Sequence, residues 1–238
     1  MRSNPIIDGR YWLCLSAASI FGTNTGDFVA GYLHIGHLAG LPWLALAFAA
    51  IVVAERFAAY RTAIWFWAAI ITVRTAATNV GDAFHDFGLG FGVSLPLVLA
   101  IFAVCVLVYR RAGGNRPTDG KLRVDGFYWV TMMLAGVLGT IGGDFASFAI
   151  HMTTVGAAIV FFTLAALSIR RFGPGGGLLD PIPYWTTVAL IRTAGTAAGD
   201  AIAHAIGLMA STMVTGAVFI GLVVYFYRKP AISFVQAR

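Results

Sequence analysis

The chain has 238 residues, 59% of them hydrophobic and only 11% charged, with a mean hydropathy of +0.82 and a formal net charge of +6. These values exclude the soluble globular class and predict an all-α polytopic membrane protein. Nucleic acid is excluded as a partner by where the basic charge lies: Arg2, Arg10, Arg56, Arg61, Arg110, Arg111, Arg116, Lys121, Arg123, Arg170, Arg171, Arg228, Lys229 and Arg238 all fall at the termini or in connections between the segments described next.

The first segment opens on Tyr11-Trp12, and its first span is predicted from Tyr11 to Leu33. It carries Gly22-Thr23 and Gly26-Asp27, with His34 seven residues past the Asp. No small-residue cleavage site closes a short apolar stretch here, so the span is expected to be retained. A second span is predicted from Leu41 to Val53.

The same pattern returns three times. Spans from Ile64 to Phe87, Phe127 to Ile150 and Tyr184 to Ile206 carry Gly81-Asp82, Gly143-Asp144 and Gly199-Asp200, each followed by a further span: Val93 to Val108, Thr154 to Ile169 and Ala210 to Tyr227. In every copy a Trp stands fifteen residues before the Asp (Trp12, Trp67, Trp129, Trp185) and a Thr four before it (Thr23, Thr78, Thr140, Thr196). The expectation is one membrane domain of eight transmembrane helices in four parallel two-helix repeats, approximately 11–56, 64–111, 127–171 and 184–229. The first helices of the repeats are expected inside and the second helices around them. The Trp side chains are read as interface anchors, with both termini cytoplasmic.

Small residues at Gly22, Ala77, Gly139 and Gly195, four before Gly26, Gly81, Gly143 and Gly199, favour close helix approach around a shared Asp layer. A carboxylate in hydrocarbon costs about 2.5 to 3.5 kcal/mol on insertion scales, so four of them call for a compensating role. Asp27, Asp82, Asp144 and Asp200 are candidate metal ligands, together with His34, His85, Asp86, His151 and His204, all within seven residues past a repeat Asp. His37 lies in the adjoining turn. Arg74 and Arg192, eight before the Asp in copies two and four, are either gating groups or partners of the carboxylates, whereas copies one and three have Ser19 and Gly136 there. Oxygen and imidazole donors suit Mn²⁺, Zn²⁺ or Fe²⁺ rather than Cu⁺. The expected cargo is a divalent metal ion or a proton. A non-transporting structural or regulatory network remains the rival reading. Cys14 and Cys105 fall inside spans without Cys-x-x-Cys spacing and read as buried small hydrophobes. No nucleophile with a base and no phosphate loop is present, so an enzyme is not expected.

The set Trp12/Gly26-Asp27, Trp67/Gly81-Asp82, Trp129/Gly143-Asp144 and Trp185/Gly199-Asp200 resembles a bacterial integral membrane protein family of unknown function, defined by four tandem two-span repeats with a signature Trp. The likeness covers about residues 11–229. It implies an eight-span protein of the bacterial inner membrane with a part in metal homeostasis. Many members have Glu at the position of Thr23, so this chain has one carboxylate fewer there.

Overall fold

The computed structural model describes residues 5–58, 62–112 and 124–228. Arg2, Arg61, Arg116, Lys121, Arg123, Lys229 and Arg238 lie outside the described residues. The architecture is all-α: α1 (Gly9–Asp27), α2 (Leu41–Phe57), α3 (Ile64–Asp86), α4 (Phe91–Arg111), α5 (Gly126–Asp144), α6 (Thr154–Phe172), α7 (Pro181–Ile206) and α8 (Leu208–Tyr227). Each lies close to a predicted span, with α2 continuing past Val53 to Phe57. Among the described residues four stretches are long and apolar enough to cross a membrane: α4, α5 with the turn that follows it, α6 and α8.

Aspartates start three of the odd helices. Asp8, Asp125 and Asp180 accept backbone N–H groups of the first turns of α1, α5 and α7, satisfying donors that have no partner within the helix. At Asp8, partial burial raises the carboxyl pKa, but the Arg10 side-chain hydrogen bond, the Tyr11 and Arg10 amides and the Arg10 charge together outweigh it and hold the group below its ordinary value. The stability it contributes is therefore present above the unfolded carboxylate pKa and is lost as pH falls through the lower folded value. Asp8→Ala should cost about 1 kcal/mol of unfolding free energy at neutral pH, and the difference from wild type should close on acidification in pH-resolved melting curves.

The odd helices touch in the closed order α1–α3–α5–α7–α1. Glycine makes the seams tight. A Cβ at Gly26, Gly81 or Gly143 would lie 2.7, 2.8 or 2.9 Å from the Cβ of Thr78, Thr140 or Thr196 on the next helix, and one at Gly199 would lie 3.2 Å from Thr23 Cβ. One turn earlier, Gly22 meets Arg74, Ala77 meets Gly136, Gly139 meets Arg192 and Gly195 meets Ser19. Two rows of close approach thus run around the whole ring.

The even helices lie outside, each packed mainly on an odd helix further along the chain or, at the end, back at its start: α2 on α3, α4 on α5, α6 on α7 and α8 on α1. Their outward faces are apolar, with Trp43 at 70%, Met213 at 66% and Tyr225 at 73% exposure. Such a surface is stable against hydrocarbon and not against water. The odd helices carry their polar residues to the ring axis, which explains why α1, α3 and α7 are less apolar than a bare lipid-facing helix.

The Trp side chains are not interface anchors, contrary to the sequence expectation. Trp12, Trp67 and Trp185 are at most 5% exposed and Trp129 is half-buried. Each instead packs on the axial aromatic of the preceding copy: Trp67 on Tyr11 at 5.6 Å, Trp129 on Phe66 at 5.8 Å, Trp185 on Tyr128 at 5.3 Å and Trp12 on Tyr184 at 5.8 Å. The reason is geometric: the residue before each Trp points to the axis, which turns the Trp into the seam between two helices.

Candidate functional site

Five layers of side chains, four residues apart, fill the axis of the ring. Sixteen residues before the Asp stand Tyr11, Phe66, Tyr128 and Tyr184, whose three hydroxyls form one hydrogen-bonded cluster. Twelve before it come Leu15, Ile70, Met132 and Val188, and eight before it Ser19, Arg74, Gly136 and Arg192. The threonines follow at four, then the aspartates. The eight side chains of the first two of these layers, and Ser19, Arg74 and Arg192 in the third, are at most 1% exposed. Helical residues four apart lie nearly one above another, so each odd helix presents a single row to the axis.

Above the threonines the axis opens into a cavity of about 650 Å³. Its lining includes Asp27, Asp82, Asp144 and Asp200, the four repeat threonines, and His37, His85 and His204, with no Lys or Arg among the described residues. His85 Nε2 lies 3.8 Å from Asp144 Oδ2, so the imidazole of one copy reaches the carboxylate of the next. Among the described residues no three His, Cys, Asp or Glu side chains converge closely enough to hold a metal ion directly. The carboxylates surround a space rather than a point.

Arg74 closes the floor. Its Nη2 donates to Thr23 Oγ1 at 2.6 Å and Thr196 Oγ1 at 2.7 Å, its Nη1 to Thr140 Oγ1 at 3.0 Å and the Gly136 carbonyl at 3.1 Å, and its Nε to the Ser19 carbonyl at 3.3 Å. All its hydrogen bonds go to neutral oxygens. The guanidinium therefore neutralises the carboxylate layer only through space, while the repeat threonines that line the cavity also fix the charge beneath it. Arg192, at the same register on α7, points the other way and donates to Met132 Sδ at 3.2 Å.

The grouping of candidate ligands read from the sequence needs correction at three positions, two histidines and one aspartate. His34 and His151 are exposed and do not line the cavity, nor does Asp86. After Asp27 and Asp144 the α-helix gives way to π turns, Phe28–Tyr32 and Phe145–Ala149, with bonds such as Leu33 N–H to the Phe28 carbonyl at 2.9 Å. The wider π turn breaks the α register, so the residue seven past the Asp no longer stacks on it. His34 and His151 instead have φ of 54° and 56°, in the left-handed region that Gly88 and Gly207 supply near the same place in copies two and four, at φ of 71° and 83°. They are turn residues. His34→Gly and His151→Gly should leave cation binding unchanged and keep or raise the melting temperature, because Gly enters that region without a Cβ penalty.

In copies two and four the α-helix continues past the Asp, which is why His85 and His204 do reach the cavity. His37 reaches it from the turn before α2, with Nδ1 3.1 Å from Asp86 Oδ2, a distance that suits an ion pair although the alignment does not make a hydrogen bond. Its position follows from the π turn and the chain reversal after it, which no periodic pattern announces. Asn24 and Asn79, three before their aspartates, are also buried, and Asn24 donates to Ser211 on α8.

Residues 183–230, which hold α8 and nearly all of α7, match a family model described as a repeat of unknown function (DUF347). No curated protein and no solved structure matches the chain.

Proposed function

We propose that the chain is an eight-span membrane transport protein that moves a divalent metal cation of the Mn²⁺, Zn²⁺ or Fe²⁺ kind through the aspartate cavity. In this reading four parallel two-helix repeats interlock, each outer helix bracing the inner helix of the following repeat. The observation that carries it is four carboxylates from four helices facing one cavity that no described Lys or Arg lines. With no three donors converging, the ion keeps part of its water and is held by carboxylates, threonine hydroxyls and imidazoles around that shell. The basic residues Arg10, Arg110, Arg111, Arg170, Arg171 and Arg228 lie at or beside the helix ends away from the aspartates. The positive-inside rule then makes those ends cytoplasmic and opens the cavity to the exterior of a bacterial inner membrane; export is the direction we propose.

The filled axis below the cavity favours a second reading, a membrane protein that binds cations without passing them. Binding is tested first. Melting of the purified chain should rise with Mn²⁺, Zn²⁺ or Fe²⁺, by an amount equivalent to about 2.7 kcal/mol at a hundred times Kd, and the rise should vanish when all four repeat aspartates are Asn. No shift with any of these ions sinks both readings; binding without flux in proteoliposomes leaves only the second.

A further inference from the structure

Arg192 has no solvent exposure, yet its Nε and Nη1 have no hydrogen-bond partner among the described residues. Its bond to Met132 uses a weak acceptor. A buried guanidinium with most of its donors unused is strongly unfavourable, so its environment needs an explanation. Arg74, at the same register on the opposite helix of the ring, uses every nitrogen of its guanidinium.

The ring order α1–α3–α5–α7 means that a half-turn about the axis exchanges α3 with α7 and α1 with α5. Applied to the oxygens that hold Arg74, it exchanges the Ser19 carbonyl with that of Gly136, Thr23 Oγ1 with Thr140 Oγ1, and Thr196 Oγ1 with Thr78 Oγ1. Every one of these groups is present. Arg192 thus faces an equivalent acceptor set, four of whose five oxygens are the ones Arg74 uses, with Thr78 in place of Thr196. The side chains at Ser19 and Gly136 are small enough to leave the centre free for one guanidinium.

We propose that Arg74 and Arg192 are alternative plugs for a single threonine ring, one raised into it while the other is lowered, and that the two exchange. Thr23 and Thr140 belong to both acceptor sets, so the ring holds one guanidinium at a time, and two would meet as like charges. Met132 biases the pair. It receives the lowered Arg192, whereas its half-turn counterpart is Leu15, which has no acceptor for a lowered Arg74. That difference accounts for which arginine is raised. The exchange is a property of the bundle and holds whether or not an ion is transported; where one is, it redistributes positive charge under the cavity floor.

A thermal-melting mutant cycle on the full purified chain tests this. Thr196→Val removes an acceptor used by Arg74, and Thr78→Val removes the one reserved for Arg192. Both hydroxyls also bond the carbonyl four residues back, at 3.2 and 3.3 Å, so that loss is common to the two variants. In the wild-type background Thr196→Val should lower the melting temperature more than Thr78→Val by on the order of 3 °C. In Arg74→Met the order should reverse, because Arg192 now occupies the ring. Thr78→Val remaining the milder change there overturns the proposal. If Arg74→Met does not fold, Met132→Leu serves, since it removes the partner of the lowered Arg192. The gap between the two Thr variants should then shrink, and an unchanged gap overturns the exchange equally.

Discussion

Asp82→Asn or Asp200→Asn should reduce divalent cation flux by about a hundredfold or more in proteoliposomes, with the protein still present and folded in the membrane. The argument is electrostatic. For a hydrated divalent ion taken to be about 6 Å from a carboxylate, an effective dielectric of 20 makes each such pair worth on the order of 5 kcal/mol. Asn keeps the size and loses the charge. Even if half of that is recovered by neighbouring water, about 2.7 kcal/mol remains, which corresponds to a hundredfold. The same distance argument applies to Asp27→Asn and Asp144→Asn, which should lower flux comparably. Wild-type flux in both Asp82→Asn and Asp200→Asn, with the protein level verified, would remove the transport reading.

Much of this arrangement can be traced in the sequence because it is periodic. The four Gly-Asp pairs fix the register of the odd helices, and residues four apart on a helix face one way, so the aspartate, threonine and arginine layers follow from counting back along the chain. The small residues five and one before each Asp likewise mark where the helices touch.

What escapes the count is local or pairwise. The π turns after Asp27 and Asp144 are changes of hydrogen-bond pattern within an unbroken apolar run, so the run alone assigns His34 and His151 to the wrong face. The tryptophans sit beside axial aromatics, and whether such a residue meets lipid or a neighbouring helix depends on that helix and not on its own. Packing of each even helix on the odd helix of another copy, including α8 on α1, is also a choice among equally apolar faces. Finally, Arg74 and Arg192 are alike in sequence context, Val-Arg-Thr-Ala and Ile-Arg-Thr-Ala. Only the bonds of the first and the unused donors of the second reveal that the pair is unequal.

The second large effect falls on the seams of the ring, where Gly139→Ala and Gly195→Ala should each lower stability by about 3 kcal/mol, at or beyond the upper end for overpacking by one methyl. A Cβ at Gly139 would lie 2.7 Å from the carbonyl carbon of Arg192 and 2.9 Å from Thr193 N. At Gly195 it would lie 2.9 Å from the Ser19 carbonyl carbon. These are backbone atoms of the neighbouring helix, so no rotamer change relieves the clash and the two helices must separate. Separation is transmitted to the floor of the cavity, because Arg192 and Ser19 belong to the arginine layer directly beneath the threonines. Gly221, inside α8 with no described atom beyond its own stretch of helix within 4 Å of its would-be Cβ, provides the control. Gly221→Ala should be neutral or gain about 0.5 to 1 kcal/mol from helix propensity alone, a gain also available to the two ring variants. Melting temperatures of the three purified variants decide the matter. Equal stability at Gly139, Gly195 and Gly221 would mean that the odd helices do not approach as closely as the glycines allow, and the single axial layer of four aspartates would lose its support.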